Sequence, residues 1–197
     1  MISFLKGRLV HLDPTHVIID VNGVGYHANI SLQTFSALKE QENIMLFTHL
    51  SIREDAHVLF GFAAEGERKL FQQLISVNGV GPSTAIVMLS YLNEQELKSA
   101  IVREDAVSLQ AIKGIGGKTA QRVIIELKDK LKKESWEDSL PAISGGVHNT
   151  VKKEALSALL TLGLPKTVAE KSIDSVLKKS GNTITLEDLV KQALKNA

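Results

Sequence analysis

The sequence predicts an α+β chain of several modules: a five-stranded OB-type β-barrel, a helical domain with two helix-hairpin-helix motifs, a flexible linker and a carboxy-terminal three-helix bundle. Three observations carry this prediction. Short β-branched and aromatic runs broken by turn residues fill the first 62 residues, the apolar period turns helical from Glu67 onward, and a glycine-centred pattern recurs 35 positions apart. The expected boundaries are 1–64 for the barrel, 65–133 for the helical domain, 134–149 for the linker and 150–197 for the bundle.

The first strand is expected over residues 2–12 and ends at Asp13-Pro14-Thr15; the second, over 17–21, ends at Asn22-Gly23. Asn-Gly supplies the two positive φ values of a type I′ turn, so residues 26–30 should pair back as the third strand. Ser31 can cap a short helix through Leu38, and residues 44–52 and 58–62 supply two more strands around Arg53-Glu54-Asp55-Ala56. Three strands, a helix and two strands is the order of a small OB-type barrel. Phe4, Phe35, Phe47, Phe60 and Phe62 are assigned to its core.

Beyond the barrel, Leu70, Phe71, Leu74 and Ile75 share one helical face, and Leu97, Ile101, Leu109 and Ile112 repeat the pattern. Residues 135–148 are rich in Ser, Pro, Gly and acids without a sustained period, as a linker would be. Three amphipathic segments follow, 151–162, 166–177 and 186–194, divided by Gly163-Leu164-Pro165 and Ser180-Gly181-Asn182.

Composition narrows the function classes. The 197 residues contain no cysteine, which excludes disulfides, thiol catalysis and thiolate metal sites and fits a reducing, cytoplasmic location. The longest aliphatic run is Ile86-Val87-Met88-Leu89, so neither a membrane span nor a signal peptide is expected. The net charge of +1 is made of unlike blocks: residues 1–64 hold 4 basic and 6 acidic side chains, 65–133 hold 11 and 8, 134–148 hold three acids and no Lys or Arg, and 150–197 are again basic.

The internal repeat carries the chemistry. Leu74-x-x-Val77-x-Gly79-Val80-Gly81-x-x-Thr84-Ala85 aligns with Leu109-x-x-Ile112-x-Gly114-Ile115-Gly116-x-x-Thr119-Ala120. Each copy sets a tight Gly-hydrophobic-Gly turn before a helix start, whose unpaired amides and dipole favour an anion; a glycine there lets a phosphate approach the backbone. Such a turn holds a sugar-phosphate chain without reading bases. The candidate phosphate-binding residues are Gly79, Val80, Gly81, Ser83 and Thr84 in the first copy and Gly114, Ile115, Gly116, Lys118 and Thr119 in the second, with Arg122 beside them. Val80 and Ile115 should anchor the turns, and some of Lys128, Lys130, Lys132 and Lys133 should be a solvated face. Gly116-Gly117-Lys118-Thr119 is not a P-loop, because Ile112 stands where the first glycine belongs and the preceding segment is helical. No nucleotide, metal or other cofactor is expected.

Glu54 and Asp55 put adjacent carboxylates on a hairpin tip, which read by themselves are a hydrated turn, an acid-base pair or part of a cation site. Taken with Thr48-His49-Leu50-Ser51-Ile52-Arg53-Glu54-Asp55-Ala56, Gly61-Phe62, Asn78-Gly79-Val80-Gly81-Pro82, Gly114-Ile115-Gly116-x-Lys118-Thr119-Ala120 and Asn22-Gly23-Val24-Gly25-Tyr26, the chain resembles, end to end, the RuvA family of Holliday-junction-binding proteins. The resemblance implies a non-catalytic DNA-binding subunit of a branch-migration complex in recombination, repair and the SOS response. It implies a homotetramer, or two tetramers on DNA, holding a four-way junction open through eight hairpin grips. Glu54 and Asp55 fall on the family's acidic pin. The terminal bundle would recruit the RuvB ATPase, with Leu159, Leu162 and Leu164 as the candidate patch, at least one of them packing in the bundle's core, and the RuvC resolvase is a further expected partner. The sequence departs from the common pattern at Ser83 and Gly117, where many relatives carry lysine, which leaves Lys118 a larger share of the charge.

Two other readings stay open at this level. A helix-hairpin-helix glycosylase or lyase would use Lys118 as a Schiff-base amine or Asp129 as an acid, and would need an aromatic to stack a flipped base, for which Phe71, Tyr91 and Trp136 are available. A single-strand binder would need exposed aromatics on the barrel, where Tyr26 alone is offered. The histidines form no metal pattern: His11 and His16 flank one turn, His49 and His57 another, and His27 and His148 stand alone.

Overall fold

A computed structural model describes residues 2–139, 148–180 and 184–196. Five strands, β1 (Phe4–Leu12), β2 (His16–Val21), β3 (Val24–Ile30), β4 (Asn43–Ile52) and β5 (His57–Phe62), close into a barrel in the order β1-β2-β3-β5-β4, with α1 (Leu32–Leu38) between β3 and β4. All pairings are antiparallel except β3 with β5. This is the OB arrangement, and the local chemistry produces it: Asn22 and Gly23 take φ of 52° and 87° in the β2-β3 turn, and the Ser31 hydroxyl accepts from the Thr34 amide at the start of α1.

The period of two along β5 joins the barrel to the helices. Leu59 and Gly61 face the barrel interior, where a Cβ on Gly61 would sit 2.9 Å from Leu46 Cδ1. Phe60 and Phe62 face the other way and meet the Phe71 ring at 5.1 and 4.9 Å. Phe71 lies on α2 (Glu65–Ile75), which packs with α3 (Pro82–Tyr91), α4 (Glu94–Val102), α5 (Ala106–Gln110) and α6 (Gly117–Ser139) around Leu70, Leu74, Met88, Leu97, Ile101, Leu109 and Val123. Barrel and helices pack together in one compact unit, Met1–Asp138. Phe4, expected in the core, is 57% exposed; β1 turns it to the face opposite Leu5.

A buried polar cluster reinforces the seam. Glu67 of α2 accepts hydrogen bonds from the hydroxyls of Ser31 and, at 2.7 Å, Thr34, whose oxygen in turn accepts the Ala63 amide at 3.0 Å. Burial pushes the Glu67 carboxyl above its ordinary range, the two hydroxyls pull it down, and the nearby Glu94 adds to the rise.

Helix α6 continues to Ser139, past the boundary expected at 133, since no Gly or Pro interrupts residues 118–139. The rest of the expected linker, 140–147, lies outside the described residues. The second unit, Ser139–Ala197, holds α7 (His148–Thr161), α8 (Lys166–Ser180) and α9 (Leu186–Lys195) around Ala155, Leu159, Ala169, Ile173, Val176, Leu189 and Ala193. Gly163, at φ 93°, ends α7, and the Thr185 hydroxyl caps α9.

Candidate nucleic-acid interface

The two copies of the repeat fold into the same corner. In the first, the Val77 amide bonds to the Leu74 carbonyl at 3.1 Å and the Val80 amide to Val77 at 3.1 Å; in the second, Ile112 bonds to Leu109 at 3.2 Å and Ile115 to Ile112 at 3.0 Å. Gly79 and Gly114, at φ 95° and 91°, make the reversal that a side chain would strain. Val80 and Ile115 are buried as anchors. Each corner then delivers the chain into a helix, α3 or α6, whose first closing bond runs from Ala85 to Gly81 at 3.0 Å or from Ala120 to Gly116 at 2.9 Å.

Both corners are open. A Cβ built on Gly79, Gly81, Gly114 or Gly116 meets nothing within 4 Å. Gly81 caps α3 without a side-chain bond, and Pro82 at its first position has no amide to satisfy. The amides of Ser83 and Thr84, and of Lys118 and Thr119, have no acceptor among the described residues. Those groups, with the positive end of each helix dipole, face solvent in an arrangement chemically suited to an anion.

The cations divide by role. Lys118 is exposed beside the second corner. Arg122, expected as a phosphate ligand, donates from Nη1 to the Asn78 carbonyl at 3.1 Å and so ties the second helix to the first corner. Lys128 is engaged by Glu104, whose carboxyl it holds below the usual range. Ser83 is exposed, Thr84 half-buried, and Gly117 lies against the Gln110 side chain. Glu54 and Asp55 stand exposed on the β4-β5 turn, closed by the Arg53 amide on the Ala56 carbonyl at 2.9 Å, and neither has an ion-pair partner among the described residues.

Of the residues offered to the enzyme reading, Lys118 and Asp129 are eleven positions apart on α6, about 16 Å along its axis; Phe71 is sealed in the core and Tyr91 is 58% exposed. The candidate patch in the tail is also redrawn. Leu159 is fully buried, because it lies one turn after Ala155 on the core face of α7; Leu162 is 60% exposed, Leu164 is half-buried, and Leu160, Val168 and Leu194 add exposed apolar surface that the sequence reading missed.

Comparison with known proteins agrees with this geometry. The RuvA N terminal domain matches residues 1–61, a SAM-like helix-hairpin-helix tandem matches 71–129, and the RuvA C-terminal domain matches 150–197. A protein named Holliday junction branch migration complex subunit RuvA from Cytophaga hutchinsonii is 54% identical, over 99% of each chain. The chain belongs to the RuvA family. Relatives of the same name from Christiangramia forsetii and Flavobacterium psychrophilum are 48% and 46% identical, over 99% and 100% of this chain and of their own. In RuvA terms, the tandem match takes in both corners and the N-terminal match takes in the acidic turn. No helix among the described residues is long and apolar enough to cross a membrane.

Proposed function

We propose that the chain is the Holliday-junction-binding subunit of a RuvA-RuvB branch-migration complex and has no catalytic centre of its own. The observation that carries this is the pair of open, matching corners at Gly79–Gly81 and Gly114–Gly116 in a chain of RuvA descent. Each corner takes a phosphate on backbone amides, so the grip depends on the spacing of the sugar-phosphate chains and is blind to base sequence. Lys118 adds charge at the second corner, and Arg122 acts on the spacing between the two. Four copies around a junction give eight such grips, with two tetramers able to face each other across the DNA. The work of moving strands comes from a partner ATPase, RuvB, recruited by the tail through Leu162, Leu164 and the neighbouring Leu160 and Val168. The RuvC resolvase would act on the same held junction, in the cytoplasm.

The test is competition between a four-way junction and a linear duplex of the same sequence at matched salt, using the full chain and residues 1–138. Both should prefer the junction by at least about tenfold, with a steep fall of affinity as salt rises because counterions are released; only the full chain should stimulate the motor. Equal affinity for junction and duplex would sink the reading.

Glu54 and Asp55 form the pin: negative charge at the centre repels phosphates and keeps strands apart as they change partners. The double change Glu54→Gln with Asp55→Asn is expected to keep junction affinity or tighten it by about two- to fivefold, and to slow motor-driven migration, read in a strand-exchange assay. A loss of folding in a thermal melt would assign the two carboxylates a structural role instead.

A further inference from the structure

On the outer face of the barrel three histidines from three strands come together. The His16 ring lies 5.3 Å from His11 and stacks on His27 at 4.7 Å with 23° between planes, so His27 does not stand alone as its sequence position suggests. A β-bulge between Leu9 and His11 produces the cluster. It reverses the alternation of β1, so that Leu12 turns in toward the barrel core and His11 turns out toward its diagonal neighbours. The rings stack instead of converging, and no group of three or more His, Asp or Glu among the described residues could hold a metal ion.

The cluster borders a cleft of about 300 Å³ that runs from the barrel to the first corner. Thr15 and Asn29 line its barrel side; Thr15 Oγ1 lies 3.2 Å from His16 Nδ1, and Asn29 is paired with His16 across β2 and β3. Ser83, Val87 and Ser90 line the α3 side, and Ser83 carries one of the free amides of the first corner. The cleft thus spans from Thr15 and Asn29, the neighbours of His16, to Ser83 at the start of α3.

We infer that His11, His16 and His27 form a second contact for the DNA arm held at the first corner, binding its phosphates when the imidazoles are protonated. The inference rests on the junction-binding reading above. Its charge logic is local. Asp13 is the carboxylate facing the cluster, 3.5 Å from His16 Nδ1 and held by the Thr15 amide and hydroxyl, and Arg8 and Asp20 farther along the strands pair with each other at 3.5 Å. α3, across the cleft, brings no charged side chain. With neutral rings the patch carries the single negative charge of Asp13; with all three protonated it carries two positive charges. The patch therefore changes from repelling to attracting a phosphate as its imidazoles take up protons.

Fluorescence anisotropy of the full chain with a four-way junction and with linear duplex, between pH 5.5 and 8 at constant ionic strength, tests this. Junction affinity should rise about tenfold from pH 7.5 to 5.5. In the triple variant His11→Gln, His16→Gln, His27→Gln the rise should shrink to about twofold or less, with the salt slope at pH 5.5 falling by about one to two. Should the triple variant melt early, His27→Gln alone, at an exposed side chain, gives the answer with about half the effect on the pH profile. A pH profile and salt slope in the variant equal to those of the unmodified chain would overturn the inference and leave junction binding intact. Loss of junction preference by the unmodified chain at pH 8 would overturn the junction-binding reading itself.

Discussion

A chain carrying Gly81→Val together with Gly116→Val is expected to fold and to bind a four-way junction at least about a hundredfold more weakly. Neither position has a positive φ, and Gly81, at φ −83° and ψ 166°, is in the extended region that valine adopts freely. Nothing lies within 4 Å of the added Cβ at either site, so the protein accepts the side chains without repacking. The cost to folding is the poorer helix cap, about 1 kcal/mol per site. The cost to binding is larger, because the methyl groups occupy the space through which a phosphate reaches the amides of Ser83, Thr84, Lys118 and Thr119. A charge-assisted hydrogen bond is worth about 1.5–3 kcal/mol, and losing one at each corner passes a hundredfold. Gly79→Val with Gly114→Val is the less informative pair, since φ values of 95° and 91° make it strained whatever the ligand. Anisotropy titrations beside thermal melts check the result; full-strength binding by a folded Gly81→Val, Gly116→Val protein would mean that DNA does not enter at the corners.

Those corners were legible because the repeat places its glycines and anchors at one spacing, and each turn closes on bonds between residues three or four apart. The Asn22-Gly23 hairpin and the Ser31 cap were legible for the same reason: the deciding interactions are local. What escaped were contacts between distant positions. Arg122 has a phosphate-binding composition around it, and only the fold brings the Asn78 carbonyl, 44 residues earlier, within 3.1 Å. Leu159 and Leu162 look alike in sequence, but Leu159 sits on the core face of α7 whereas Leu162 falls just past the helix end at Thr161, in the turn that leads to Gly163, and is left in solvent. The histidine cluster depends on a bulge that moves His11 to the outer face, and nothing in the alternation of β1 announces it. The aromatic runs place Phe60 and Phe62 in a barrel core, whereas the alternation with Leu59 and Gly61 turns them toward Phe71 and fuses barrel and helices.

At that seam the loss of Glu67 should carry a large cost in stability. Glu67→Ala is expected to lower the unfolding free energy by about 3 kcal/mol, because the hydroxyl protons of Ser31 and Thr34 would be left buried without an acceptor, at about 1–3 kcal/mol each. Glu67→Gln keeps the shape and one strong acceptor and should recover most of the loss. The pH dependence separates the carboxylate from mere packing. Since burial raises the folded carboxyl above its unfolded value near 4.5, the native state holds this proton more tightly than the unfolded chain does. Its contribution is therefore most favourable below 4.5 and is eroded as pH rises through the raised value, so Glu67→Gln should gain on the unmodified chain between pH 4.5 and 7 in urea melts. A gap that stays constant across that range would show that the carboxylate ionises as it does in the unfolded chain. The consequence for the proposed DNA contacts follows from position: α2 leads into the first corner and the barrel carries the Glu54-Asp55 turn, and the Ser31-Thr34-Glu67 cluster ties α2 to the barrel. Glu67→Ala protein held below its melting point should accordingly lose junction preference over duplex before it loses affinity for duplex, a pattern that uniform destabilisation would not produce.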